Sequence, residues 1–424
     1  MQGHSQRRRS RTAAASAAAV LAALALTLTA CGGSGGTGKA DASSNKSGGK
    51  GGADSAAPAA DKKVSAAQIS VSAKNGAENV ATDGLSVKVA KGKLASVAVT
   101  DGDGHAVAGT TASDGSGWKP VDNLATGTTY HVKVRAKDSS GLQAAANSSF
   151  TTVSARGTFT GSYTPENGST VGVGMPVSVR FNVPIDASKK ADVQKHLKVT
   201  STSGANIVGH WFGNQRIDFR PQEYWKPGTK VTLKMRLNGV EGENGIYGNQ
   251  SRTVTFTIGR SQISTVDVAK HKMTVVRDGQ TLRTLPITAG SPQHTTWAGI
   301  MVISERDEVT RMDSRTVGLG GEYDIKDVPH AQRLTDSGTF IHGNYWSYGA
   351  FGNYNASHGC VGLQDAKGGS SSLPAGWFYN KSMLGDVVIV KNSGDKTVAA
   401  DNGLNGWNLS WSEWVKGSAV PASQ

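Results

Sequence analysis

The sequence predicts a mainly β chain, built from small tandem units followed by a larger β-rich one. Three observations carry that prediction. Short runs alternating apolar and polar residues recur along most of the length, as in Tyr130-His-Val-Lys-Val-Arg135 and Lys230-Val-Thr-Leu-Lys-Met235, and a period of two marks half-buried strands. Turn signals such as Asp101-Gly102 separate the runs, and glycine is abundant, at 54 of 424 residues. A chain this long exceeds a single core, so two to four domains are expected.

Residues 1–31 read as an export signal. Arg7, Arg8, Arg9 and Arg11 precede an apolar run, Ala13 to Leu28, shorter than a membrane-spanning helix and ending in small residues. The run closes on Leu28-Thr29-Ala30-Cys31-Gly32, which resembles a lipobox, where the cysteine becomes the lipidated first residue. An ordinary signal peptide or a membrane anchor that happens to carry a cysteine is the alternative. Residues 32–64 are rich in Gly, Ser, Ala, Lys and Asp with no aromatic residue, a composition that cannot bury enough apolar surface to offset ordering and so reads as a disordered linker.

Residues 65–154 and 155–259 each read as an immunoglobulin-like sandwich of short strands. With only Cys31 and Cys360 in the chain, neither unit has an internal disulfide. The two share a late signature: Thr126-Gly-Thr-Thr-Tyr-His-Val132 is echoed by Pro227-Gly-Thr-Lys-Val-Thr-Leu233, which suggests a repeat. From residue 260 to 392 strands surround long glycine- and aromatic-rich loops. The last segment, 393–424, carries Trp407, Trp411 and Trp414. Their spacing suits one face of a short helix, expected to pack the tail onto a neighbouring domain rather than to bind a ligand.

The formal net charge of +13 favours an anionic surface. Nucleic acid and an anionic cell wall both qualify, and the export signal favours the wall. If Cys31 carries lipid, Cys360 has no disulfide partner, and a leftover thiol in an exported protein invites a reactive role. A disulfide between the two would tether the N-terminus to the far domain across a disordered linker.

The chemistry concentrates in Thr339-Phe-Ile-His342-Gly343-Asn344-Tyr-Trp346 and Ala356-Ser357-His358-Gly359-Cys360-Val361-Gly362-Leu363. A thiol nucleophile needs a base nearby, and His342 and His358 are candidates. His342 ends an apolar strand where its ring can be fixed, which makes it the expected general base. The amides of Gly359 and Cys360 could face the oxyanion formed on attack. Two duller readings stand beside this one: a buried cysteine acting as a small hydrophobe, or a zinc site of His342, His358 and Cys360, for which no fourth ligand stands at a typical spacing.

A histidine, fourteen intervening residues (343–356) and then Ser-His-Gly-Cys resembles the signature of the L,D-transpeptidases with a YkuD-type catalytic domain. The resemblance spans residues 260–392 and the Trp-rich tail, and the tandem sandwiches are similar to those of actinobacterial members. It implies a β-rich catalytic fold with Cys360 as nucleophile, His342 as base and His358 supporting the nucleophile. The Gly343 carbonyl would orient His342, Ser357 and Trp346 would line the pocket, and Met312 and Tyr323 would sit on a lid. The implied reaction joins peptidoglycan stem peptides. Cys360 attacks the residue at stem position three, releases the terminal D-alanine and passes the acyl group to a neighbouring amine as a 3→3 cross-link. Water as acceptor would make it an L,D-carboxypeptidase. Carbapenems would acylate the thiol, with no cofactor, metal or nucleic acid involved, on a protein lipid-anchored outside the cell membrane. Gly362 replaces a usual Asn or Arg and Gly343 a frequent Ser. The first change keeps open a non-catalytic wall-binding scaffold. A sortase-like peptidase is disfavoured because no Arg lies close to Cys360 in the motif.

Overall fold

The computed structural model describes residues 63–318 and 320–421. The export signal, Cys31 and the linker up to residue 62 lie outside them. In the first sandwich, strand Thr129–Lys137 alternates exposed and buried residues throughout. Its buried side chains Tyr130, Val132 and Val134 meet Leu85, Val87, Val99, Trp118 and Phe150 in one core. Each large apolar side chain so buried contributes roughly 1.5–3 kcal/mol. Two four-stranded sheets enclose that core. One runs Gln68–Val71, Val87–Ala90, Gly117–Pro120, Gly109–Thr111; the other runs Ala77–Val80, Gln143–Thr152, Thr129–Lys137, Lys93–Asp101.

The second sandwich repeats the plan over Gly157 to Ile258, with two four-stranded sheets and a small three-stranded one. The echoed segments do the same job in both units. The amide of Gly127 donates to Val153 O at 2.9 Å and that of Gly228 to Ile258 O at 2.8 Å. The strand that follows each glycine pairs antiparallel with the last strand of its unit. The sandwiches are joined by Thr82, whose hydroxyl donates to Gly239 O at 2.6 Å, and by an Arg236–Asp122 ion pair.

The remaining strands form one nine-stranded mixed sheet: β1 (Gln262–Asp267), β2 (Lys272–Arg277), β3 (Gln280–Thr288), β4 (Gly299–Val302), β5 (Glu305–Asp313), β6 (Asp324–Arg333), β7 (Phe340–Asn344), β8 (Val361–Gln364) and β9 (Val387–Lys391). Their spatial order is β4-β9-β1-β2-β3-β8-β7-β6-β5. All five residues of β7 are buried, as expected of an interior strand covered on both faces; helix α1 (Pro374–Lys381) packs against β6, β7 and β8. Strands β7 and β8 run parallel with His342 opposite Gly362.

The tail departs from the single-helix expectation. Trp407 lies on a 3-10 turn, Gly406–Asn408, and only Trp411 and Trp414 belong to helix α2 (Trp411–Lys416). The break has a cause: Ser410 caps α2 in a reciprocal box with Glu413, which starts the helix after Trp407. The three rings still converge, with the Arg220 guanidinium 4.5, 5.5 and 4.3 Å from the centroids of Trp407, Trp411 and Trp414. Trp414 is fully buried and its Nε1 donates to Val208 O at 2.9 Å; Trp407 Nε1 donates to Gly174 O at 2.7 Å. The tail also closes the outer edge of the nine-stranded sheet. Asn408 Oδ1 accepts from Ile300 N at 2.8 Å and Asn405 Oδ1 from Val302 N at 3.0 Å, both on β4. Backbone groups that would invite another chain are thereby satisfied internally.

Candidate active site

Strand β7 delivers His342 to the floor of a cavity of about 340 Å³, and the turn leading into β8 delivers Cys360 to the same cavity. His342 is 4% exposed, and its Nδ1 lies 2.9 Å from the Gly343 carbonyl. A carbonyl only accepts, so Nδ1 carries the proton and the neutral ring leaves Nε2 as an acceptor. Burial pushes the imidazole below its ordinary pKa, opposed by the Gly343 carbonyl, so the ring is neutral at neutral pH. Trp346 stacks on it at 5.7 Å between centroids.

Cys360 is 8% exposed, and burial pushes its thiol up to about 11, opposed by the Phe340 backbone and the Arg333 charge. Its Sγ–H donates to Gly338 O at 3.7 Å. Both shifts favour the neutral forms, thiol and imidazole, over an ion pair. A thiol and an imidazole with an open Nε2 in one cavity are the groups that a thiol nucleophile and its proton acceptor would need.

The same cavity is lined by Ser357, His358, Met312, Tyr323 and Trp346, so the side chains expected to act in catalysis or substrate binding all line it. Gly359 adopts φ +107°, a conformation that other residues reach only with strain. Its amide, expected to face an oxyanion, instead donates to Ser357 Oγ at 3.2 Å, while that hydroxyl donates to Cys360 O at 2.6 Å. Ser357 thus ties the turn around the thiol. The zinc arrangement of His342, His358 and Cys360 does not form among the described residues. His358 faces Glu322 and His294 instead.

Both departures from the motif have local reasons. A Cβ on Gly343 would lie 2.3 Å from Asp365 Oδ2, a carboxylate held 2.6 Å from His330 Nδ1. A Cβ on Gly362 would lie 3.2 Å from Asn344 Nδ2 and 3.0 Å from Thr288 Cγ2. Asn344 is a site residue that the sequence reading missed, along with Ile325, Ser347 and Ala356. Its Oδ1 accepts from the amides of Trp346 and Ser347 at 3.1 and 2.9 Å, and its Nδ2 donates to Ser347 Oγ at 3.0 Å. It builds the turn that holds Trp346 against His342. An Asn two residues after the candidate base, followed by two aromatics and a Ser, was the available signal.

A buried imidazole on β7 and a buried thiol just before the parallel strand β8 thus share one cavity, whose lining includes Met312, Tyr323 and Ile325 of the β5–β6 hairpin. Residues 261–390 match the YkuD family, the L,D-transpeptidase catalytic domain, and residues 77–241 match the bacterial Ig domain. L,D-transpeptidase 2 of Mycobacterium tuberculosis is 32% identical over 373 residues, 87% of this chain and 88% of that protein. L,D-transpeptidase 5 of the same species is 31% identical, covering 80% and 73%. Among solved structures, the LD transpeptidase LdtMt1 in complex with imipenem is 29% identical, with a TM-score of 0.45 over 54% of this chain and 97% of that one. This chain belongs to the L,D-transpeptidase family.

Proposed function

We propose that this protein cross-links peptidoglycan stem peptides 3→3 through a Cys360 thioester. The observation that carries the reading is the shared cavity of Cys360 and a His342 ring whose free nitrogen is Nε2. The sulfur attacks the carbonyl at stem position three and its proton passes to Nε2. The tetrahedral adduct collapses as Nε2–H protonates the departing amine of D-alanine. Nε2 then takes a proton from the acceptor amine, which displaces the thiolate; the proton returns to sulfur. Met312 and Tyr323, on the β5–β6 hairpin, and Trp346 hold donor and acceptor in register, which lowers the barrier by removing translational freedom beforehand.

The export signal and Cys31 anchor the chain by lipid to the outer face of the cell membrane, and the sandwiches carry the catalytic unit toward the wall. Carbapenems acylate Cys360 in this reading, in keeping with the imipenem complex of LdtMt1. The test is mass spectrometry of disaccharide-tetrapeptide muropeptides incubated with the full chain in detergent. A dimer lighter by one D-alanine, absent with Cys360→Ala, supports cross-linking. Tripeptide alone converts the reading to L,D-carboxypeptidase, and unchanged substrate overturns it in favour of a scaffold. Retention of Cys31→Ala at the membrane would refute the anchor.

A further inference from the structure

A second constellation adjoins the cavity through His358, and none of the proton or acyl transfers proposed above passes through it. His294, Glu322 and His358 come from three separate segments, yet their ligand atoms lie within 4.8 Å of one another. His294 Nε2 and His358 Nε2 each stand 3.2 Å from the same oxygen, Oε2 of Glu322. In a tetrahedral zinc site with bonds of about 2.0–2.1 Å, neighbouring ligand atoms stand about 3.3 Å apart. The two histidine–carboxylate separations match edges of such a tetrahedron, and the two imidazole nitrogens lie no more than 4.8 Å apart. Two imidazoles and a carboxylate are also a donor set that zinc takes while keeping a position open.

The backbone holds the two histidines ready. Ser291 N donates to Ser357 O at 2.8 Å, Ser357 N to Ala289 O at 2.9 Å and His294 N to Ser291 O at 3.0 Å. The loop carrying His294 is thus tied to the segment carrying His358. The rings lie 4.8 Å apart, and Tyr323 lies 5.0 Å from His358. Glu322 differs in origin: it sits on the tip joining β5 to β6, next to Tyr323, which lines the cavity. All three side chains keep partial solvent access, at 27%, 44% and 37% exposure, so an ion can enter.

We propose that His294, Glu322 and His358 bind a divalent transition-metal cation, with zinc the fitting ion, and that the bound cation latches the hairpin tip across the mouth of the cavity. The site lies beyond what the family resemblance implies, which is no metal, and differs from the zinc set His342, His358 and Cys360 weighed from the sequence. Ion binding stands independently of the acyl-transfer reading, because it is measured with the thiol removed.

The test uses the full chain in detergent carrying Cys360→Ala, which removes zinc capture by the catalytic thiol. Calorimetric titration with zinc chloride should give one equivalent bound. Adding His294→Ala or Glu322→Gln should weaken binding by at least about ten-fold. Glu322 is half-exposed, and an unchanged zinc-free melting temperature for Glu322→Gln shows that the loss is one of ligation. Hydrogen exchange of amides 320–325 should slow on zinc addition in the parent and not in either variant. Absence of binding in the parent, or binding unaltered by both substitutions, overturns the site: the histidines then only hydrogen-bond Glu322. Binding without slower exchange overturns the latch.

Discussion

The side chain of Asn344 fills the space beside Gly362, with its Nδ2 3.2 Å from where a methyl on that glycine would be. His342 opposes Gly362 across β7 and β8, and Asn344, two residues further along β7, emerges on the same face as His342. A polar group missing two residues after the cysteine is thus matched by one two residues after the histidine. If the gap in the motif is a relocation, Asn344 and Gly362 are energetically coupled.

Replacing Asn344 by Ala should therefore damage the site through Trp346. The turn amides of Trp346 and Ser347 lose their acceptor, and a buried donor left unpaired costs about 1–3 kcal/mol. Carbapenem acylation should slow by roughly ten- to hundred-fold, the rate equivalent of that range. Gly362→Asn alone should also be deleterious, whereas the pair should recover part of the loss, with a coupling of about 0.5–3 kcal/mol in a double-mutant cycle. Strictly additive effects would refute the relocation.

His342→Ala should reduce the acylation rate by about 10²–10⁴, the range for a positioned proton acceptor. His358→Ala should cost far less, because its Nε2 faces Glu322. Stopped-flow loss of carbapenem absorbance reads both. Equal losses would overturn the assignment of the base.

The pH profile should distinguish a neutral pair from an ion pair. Burial holds His342 below its ordinary value of 6.5 and raises Cys360 to about 11. Protonating the base removes activity, so acylation should fall only below pH 6.5 and stay level through neutral pH. In His342→Ala, thiolate supply alone governs iodoacetamide alkylation, which should rise about ten-fold per pH unit toward 11. A wild-type alkylation plateau at pH 5–7 would reveal a preformed thiolate and sink the neutral-pair description.

Trp414→Ala should destabilise the chain by about 3–5 kcal/mol, the usual cost of emptying a fully buried aromatic site. Trp414 is 0% exposed, whereas Trp411 is only partly buried. Urea midpoints should show a large shift for the first substitution and a small one for the second. Similar shifts would contradict the anchoring role of Trp414.

The β character, the paired sandwiches and the meeting of His342 with Cys360 were legible because they rest on local patterns: alternation, a repeated glycine turn, a histidine at a set distance before Ser-His-Gly-Cys. What escaped depends on partners remote in the chain. Nothing near Gly343 announces that Asp365, held by His330, fills the room beside it. Glu322 and His294 sit in irregular loops with no period to read, so their convergence on His358 exists only in three dimensions. The tryptophan spacing suggested one helix face, and the Ser410 cap divided it. For Gly359 the backbone freedom was foreseeable, but the nearby Ser357 hydroxyl claims its amide.

The strap formed by Asn405, Asn408 and Trp414 sets a timetable for synthesis. These residues are synthesised after every strand of the nine-stranded sheet, so β4 waits with open backbone groups until they emerge. A late stop codon would then do more than shorten the chain. It would leave a permanently sticky sheet margin and an empty socket at Val208, which makes aggregation, rather than slow turnover, the expected phenotype of such truncations.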